Sequence, residues 1–456
     1  MGYTHANRFY EHVMFNSLHI SHSKRGASHY YLDASARYRC VFPCEEYKQN
    51  ENKHCIHFDQ IDSIDLKQYQ LIIFHRPSIS SKLKAVLKRI RQLNIKAVVD
   101  FDDLLFSPEF ALENPTYLSG QMSAKQALKG ANNYLKALLQ FEYAQVSTAP
   151  LARHIKKAHP DCQVEVLANK MPQRWAKATQ QIDIKERLNN KIIRYFPGTS
   201  HHTSNFNSTI ETLKSVLIAN QDISLEVIGD IKIPAGTFPT QQFKQLSHCL
   251  YEELPKIIAS SWLTISPLEQ NEFNQCKSGL KFWESGCFGV PVISNPIPDM
   301  ERFTCEGLLL SNNYKDWITN INSMKDEHHY QQACNSALNL ALTCVLKGTE
   351  QEPSDYESIQ VLMCAEFGPS WPAIRINPIH SQFEVANSKY KSLTPLSPAL
   401  IKNKAKSKEV KHQSAEKIKE YLTSKKMNTA QRKFKKLKNN PRLFFSDMYK
   451  NIFNNP

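Results

Sequence analysis

Three charged side chains at helical spacing open the question of chemistry. In residues 267–298, PLEQNEFNQCKSGLKFWESGCFGVPVISNPIP, Lys277, Lys281 and Glu284 stand at i, i+4 and i+7, so a helix starting near Lys277 carries all three on one face. Two ammonium groups there suit the neutralisation of a phosphorylated ligand, and a carboxylate at Glu284 can accept from vicinal hydroxyls. A helix that begins outside the end of a strand adds free backbone N–H groups and the positive end of its dipole. The same segment holds Leu280, Phe282, Trp283, Cys287 and Phe288. A helix this apolar is largely buried, and a charged stripe on it is better explained by a site than by a solvated face.

Other candidates lie earlier. Asp100, Asp102 and Asp103 crowd the end of the run KAVVD, where carboxylates in proximity raise one pKa or hold a cation, and where one could orient or deprotonate a hydroxyl. His75 ends the run LIIFH. Arg37 and Arg39, two apart in ASARYR, share a face if that loop is extended and could flank a phosphate. Gly198 follows KIIRYF and precedes Ser200, His201 and His202; a glycine turn lets backbone approach a ligand closely.

These residues need strands that end at one place. Short β-rich runs at 71–75, 96–100, 145–148 and 164–167 alternate with helical patterns at 81–93 and 123–139. A second set begins near Lys191, with strands at 191–196, 224–228, 262–266 and 290–294, and helices at 207–218, 254–260 and 277–287. Such alternation predicts parallel sheets covered by helices on both faces. The expectation is an α/β chain of two Rossmann-like doubly wound domains, residues 1–168 and 169–368, followed by a linker at 369–400 and a basic helical tail at 401–456.

FNQCKSGLKFWESGCFGVPVIS resembles the donor-site segment of GT-B glycosyltransferases, in the group-1-like branch found in bacterial capsule and O-antigen loci. ASARYR, FHRP, VVDFDDLLF and YFPGTSHHTSNF resemble further segments of that branch, in the expected order from about residue 34 to 300. The resemblance implies a nucleotide-sugar donor held by the second domain, with Gly198, His201, Asn274, Lys277, Ser278, Lys281 and Glu284 on the donor side. It implies an acceptor glycan on the first domain, with Asp102, Asp103 and His75 as the catalytic set and Arg37 and Arg39 toward the acceptor. No metal and no cofactor besides the donor substrate are expected. One departure stands out. Many retaining members carry two glutamates separated by seven residues; the partner of Glu284 would be Cys276, Glu272 comes four residues too early, and Asn274 is the candidate replacement. Two rival readings are a non-catalytic sugar-nucleotide or glycan-binding module, and a metal-dependent GT-A transferase using the Asp100/Asp102 pair of DFD.

Composition is ordinary for a soluble globular protein. The 456 residues suffice for two or three domains, and no run reaches the ~18 apolar residues of a membrane span. The N-terminus has no basic start followed by an apolar run, so no signal peptide is expected, and the eleven scattered cysteines read as buried thiols of a cytosolic protein. Net charge is +14, yet residues 401–456 hold 16 Lys or Arg against 4 Asp or Glu, leaving the remainder nearly neutral. In RLFFSDMYKNIF, Phe445, Met448 or Tyr449, and Ile452 form a short apolar face beside basic residues, the pattern of a helix lying on an anionic membrane. KLKNNPRLFFSDM also resembles C-terminal segments of bacterial capsule transferases. The expected location is cytoplasmic, at the inner face of the cell membrane near a lipid-linked glycan acceptor. Nucleic acid is not expected as a partner, for lack of a recognisable binding module.

Overall fold

The computed structural model describes residues 15–45, 51–169, 171–172, 175, 184–303 and 305–347. The chain divides into Met1–Arg375 and Ile376–Pro456. Everything described lies in the first unit; the linker and tail readings at 369–400 and 401–456 lie outside the described residues.

Two six-stranded sheets, parallel throughout, make the architecture two Rossmann-like α/β layers. The first contains β1 (Phe15–Ser21), β2 (Glu51–His57), β3 (Leu71–His75), β4 (Lys96–Phe101), β5 (Tyr143–Val146) and β6 (Gln163–Val166), in the order β2-β1-β3-β4-β5-β6. The second contains β7 (Lys191–Tyr195), β8 (Ile223–Ile228), β9 (Phe243–Leu246), β10 (Leu263–Ser266), β11 (Val292–Ser294) and β12 (Leu308–Leu310), in the order β12-β11-β10-β7-β8-β9. The strand order reverses between β1 and β3 in one sheet and between β7 and β10 in the other. At such switch points adjacent connections leave to opposite faces and open a crevice beyond the strands' carboxyl ends. His75 ends β3; Gly198 follows β7; the 267–279 loop follows β10.

Strands buried on both faces read as continuous apolar runs, so LIIFH (β3) and LTIS (β10) are fully buried and stand close to their expected places. Helices follow from capped amphipathic patterns. Ser80 Oγ accepts from Leu83 N at 3.0 Å to start Ser81–Gln92, and Ser123 with Gln126 closes a capping box at Ala124–Leu138.

The two halves share packing. Phe273 and Cys276, from the segment after β10, belong to the core of the first sheet. Reciprocally, Tyr38 and Phe42 pack in the cluster that holds Phe282, Trp283 and Phe288 of the second half. The expected helix at 277–287 is in fact two pieces, a turn at Glu272–Gln275 and a helix at Leu280–Gly286, with Gly279 between them as N-cap. Lys277 therefore precedes the helix. Only Lys281 and Glu284 share its face, as an i,i+3 pair with Nζ to Oε2 at 2.7 Å. At this end Gly279 N donates to the Asp299 carboxylate at 2.5 Å, so one amide expected to face a ligand is already engaged.

Candidate active site

The carboxyl end of the first sheet is a network of matched charges. Asp100, wholly buried, accepts from Arg39 Nη2 at 2.5 Å, from Gln145 Nε2 at 3.1 Å, and meets His75 Nδ1 at 2.8 Å. Burial alone would push its carboxyl up; Arg39 and the His75 contact hold it below the usual carboxylate range. His75 Nε2 lies 2.9 Å from Ser35 Oγ, and Ser35 donates to Asp102 Oδ2 at 2.5 Å. Asp102 Oδ1 accepts from Arg76 Nε, and Asp103 Oδ2 from Arg76 Nη2, each at 2.5 Å. Burial would raise Asp102 as well, but Arg76 and His75 take it well down. A carboxylate held this acidic is a weak base; it orients a hydroxyl better than it removes its proton.

Arg76 has φ 51, a left-handed conformation that a non-glycine residue adopts at a cost of roughly 1–3 kcal/mol. Its N–H donates to Asp100 O at 2.8 Å. Ser35 and Arg76 escaped the sequence reading. A following proline biases the preceding residue toward extended backbone, so the left-handed turn at Arg76 runs against its local signal.

Lys277 reaches across from the second half, with Nζ 3.3 Å from Asp103 Oδ1. Glu284, 5% exposed, accepts from Tyr38 Oη of the first half at 2.7 Å, as well as from Lys281. Lys281 is about one-third exposed. Thus the three charges do converge on the crevice, but from a broken helix. His202, which the sequence reading passed over in favour of His201, is depressed well below the ordinary imidazole value by burial and then by Lys277 and Lys281. His201 is lowered by burial and by Lys24 of the first half. The crevice wall formed by Lys277, Lys281 and His202 is therefore rich in positive potential.

Around it, Asn274 is buried and donates to Asn205 Oδ1 at 3.0 Å and Glu269 O at 2.9 Å, while its own Oδ1 has no partner within the protein. Ser278 Oγ accepts from Asn169 Nδ2 at 2.9 Å. Gly198, exposed with φ +73, has nothing within 4 Å of where a Cβ would stand, so the loop after β7 is open to a ligand.

Two expectations are corrected. Arg37 and Arg39 do not share a face of an extended loop. They lie on a helical turn that includes a π turn at Arg37–Val41, and they diverge. Arg39, 2% exposed, is spent on Asp100, Leu167 O and Asn169; it is a structural ion, not an acceptor contact. Arg37 stacks on Tyr251, its guanidinium carbon 4.0 Å from the ring centroid. The DFD reading also fails on geometry. Asp100 is enclosed by Arg39, His75 and Gln145, and Asp102 by Arg76 and Ser35, so a divalent ion would have to displace cations already in place.

Buried histidines make the fold acid-sensitive. His19, in the middle of β1 and 4% exposed, is lowered to about 4, chiefly by burial, and its Nδ1 has no partner within the protein. The folded chain refuses a proton that the unfolded chain takes at 6.5. Between those values the unfolded state binds more protons, and stability falls as pH drops through that window. A single site of this kind is worth on the order of 3 kcal/mol. His22, lowered to about 3 by burial, His75 and His57, acts in the same direction. Urea midpoints measured from pH 7.5 to 4.5 should fall less steeply for His19→Gln than for the parent; parallel curves would count against this assignment.

No family model matches the chain, and no curated protein does. Among solved structures it is similar to Anabaena Alr3699/HepE crystallised with UDP and glucose, at 14% identity and TM-score 0.46, covering 72% of this chain and 95% of that one. It is also similar to TarM, at 12% identity and TM-score 0.45, covering 68% and 56% respectively. A third is a UDP-N-acetylglucosamine 2-epimerase, named as putative, from Listeria monocytogenes, at 11% identity and TM-score 0.41, covering 76% and 100%.

Proposed function

We propose that this chain is a glycosyltransferase that moves a sugar from a nucleotide-sugar donor to a hydroxyl of a surface-polysaccharide acceptor. One observation carries the reading: Lys277, Lys281 and the depressed His202 gather at the switch point of the second sheet and face Asp102 and Asp103 across the crevice. A diphosphate suits the first group and a sugar hydroxyl the second.

In the reaction the bond from the donor's anomeric carbon to the diphosphate oxygen breaks, and a bond from that carbon to the acceptor oxygen forms. The acceptor's proton passes to water, and negative charge grows on the departing diphosphate. Lys277 and Lys281 stabilise that charge, an electrostatic contribution that is often the largest in catalysis. Glu284 keeps one lone pair on each oxygen beyond its Tyr38 and Lys281 contacts, enough to receive ribose hydroxyls. Asp102 orients the acceptor hydroxyl in the position now served by Ser35.

The capsule or O-antigen acceptor follows from the motif resemblance. A cytoplasmic position at the membrane follows from the basic tail, each Lys or Arg of which adds about 1 kcal/mol at an anionic leaflet. Among the described residues no helix is long and apolar enough to cross a membrane. A panel of nucleotide sugars, assayed for nucleotide release with and without lipid-linked glycan, tests the enzyme reading. Release that rises with acceptor is expected. Tight binding without release under any donor would make the chain a binding module instead. Flotation with anionic liposomes, with and without residues 401–456, tests the tail.

A further inference from the structure

Outside the charged crevice, a second cluster joins the two halves. His154, on the helix Ala149–Ala158 of the first half, places Nε2 2.8 Å from Glu272 Oε1 of the second half. Cys276 stands one helical turn beyond Glu272, and the ligating atoms of His154, Glu272 and Cys276 all lie within 4.8 Å of one another. We propose that these three side chains bind a zinc ion that ties the second half's 272–277 segment to the first half.

The donor set is that of zinc: an imidazole nitrogen, a carboxylate oxygen and a sulfur. Tetrahedral zinc, with bonds of about 2.0 Å to N and O and about 2.3 Å to S, wants its ligand atoms roughly 3.3–3.7 Å apart. His154 Nε2 and Glu272 Oε1, at 2.8 Å, must open by about half an ångström while the sulfur comes closer by up to about an ångström, and rotation of Glu272, the most exposed of the three, and of His154 supplies both. Three protein ligands leave a fourth position for water. The surroundings hold the set in place. Cys276 is fully buried in the first core, its carbonyl accepts from Thr148 Oγ1 at 2.9 Å, and the Phe110 ring stands edge-on to His154 with centroids 5.5 Å apart. Burial, then Glu272 and Asp103, push the Cys276 thiol up to about 12, so it carries its proton until a metal arrives. On binding, the S–H bond breaks, a Zn–S bond forms and the proton passes to water.

The consequence falls on the next residue. Lys277 follows Cys276 directly and meets Asp103 across the crevice, so fixing Cys276 fixes where that ammonium stands. The role is positional, and its primary test needs no turnover. The full-length chain, stripped with EDTA and dialysed, is titrated with Co²⁺ alone as a spectroscopic probe, then with Zn²⁺ in competition. The expected result is one Co²⁺ per chain with a thiolate-to-cobalt band in the near ultraviolet, displaced by Zn²⁺. Cys276→Ser should lose the band. His154→Gln and Glu272→Gln, at less buried positions, should each weaken binding ~10-fold or more, as loss of a ligand costs at least what loss of its supporting partner does. Absence of binding, a band that survives Cys276→Ser, or unchanged affinity in both glutamine variants would overturn the site.

Discussion

Lys281→Ala should lower glycosyl transfer by ~10²-fold or more at saturating donor, with a smaller rise in KM. The reasoning turns on when the interaction strengthens. In the free protein Lys281 Nζ is 2.7 Å from Glu284 Oε2 and about one-third exposed, so its ground-state pairing is a screened one of small worth. A diphosphate leaving group acquires charge only as the anomeric bond breaks, and a fixed ammonium beside it then gains most. Loss of Lys281 leaves the buried Glu284 carboxylate with its neutral Tyr38 partner at 2.7 Å and no cation, so some loss of stability accompanies it, and turnover is compared well below the melting temperature of both proteins. Single-turnover rates separate the outcomes. A fall in the chemical step with intact binding supports the role; unchanged turnover removes Lys281 from the mechanism. Lys281→Arg tests whether charge alone suffices, since guanidinium carries the charge but not the compact geometry.

How much of this was legible in the chain can be judged from particular residues. LIIFH, KAVVD and LTIS announced themselves because strands buried on both faces tend to carry near-continuous apolar runs. β1, FNSLHIS, did not, although it lies next to the switch point: Asn16, Ser17, His19 and Ser21 are buried on it, and no apolar run marks it. Edge strand β9, FKQL, is largely exposed and equally silent. The convergence of Lys277, Lys281 and Glu284 was expected from helical spacing, yet it arises otherwise. Gly279 interrupts the helix, and Lys277 reaches the crevice from a loop anchored by Phe273 and Cys276 in the other core. Period describes one helix; it does not describe two halves closing on each other. For the same reason Arg39 was read as a ligand contact. Only the fold reveals that Asp100, sixty-one positions on, lies against it.

That buried pair supports the largest stability prediction. Asp100→Asn should destabilise the chain by about 3–5 kcal/mol, because it removes the charge that compensates an Arg39 shut away from water. Arg39 is 2% exposed and Asp100 wholly buried, so water cannot substitute for the missing partner. The loss should spread to His75, which meets Asp100 through Nδ1 and Ser35 through Nε2, and through Ser35 to Asp102. An amide can still present an oxygen to His75 Nδ1 or to Arg39, but it brings no charge. Denaturant unfolding of Asp100→Asn, Arg39→Met and the double variant closes a thermodynamic cycle. The double variant should be far less destabilised than the sum of the two, since removing both charges leaves neither stranded. Strict additivity would mean that the two charges do not compensate each other.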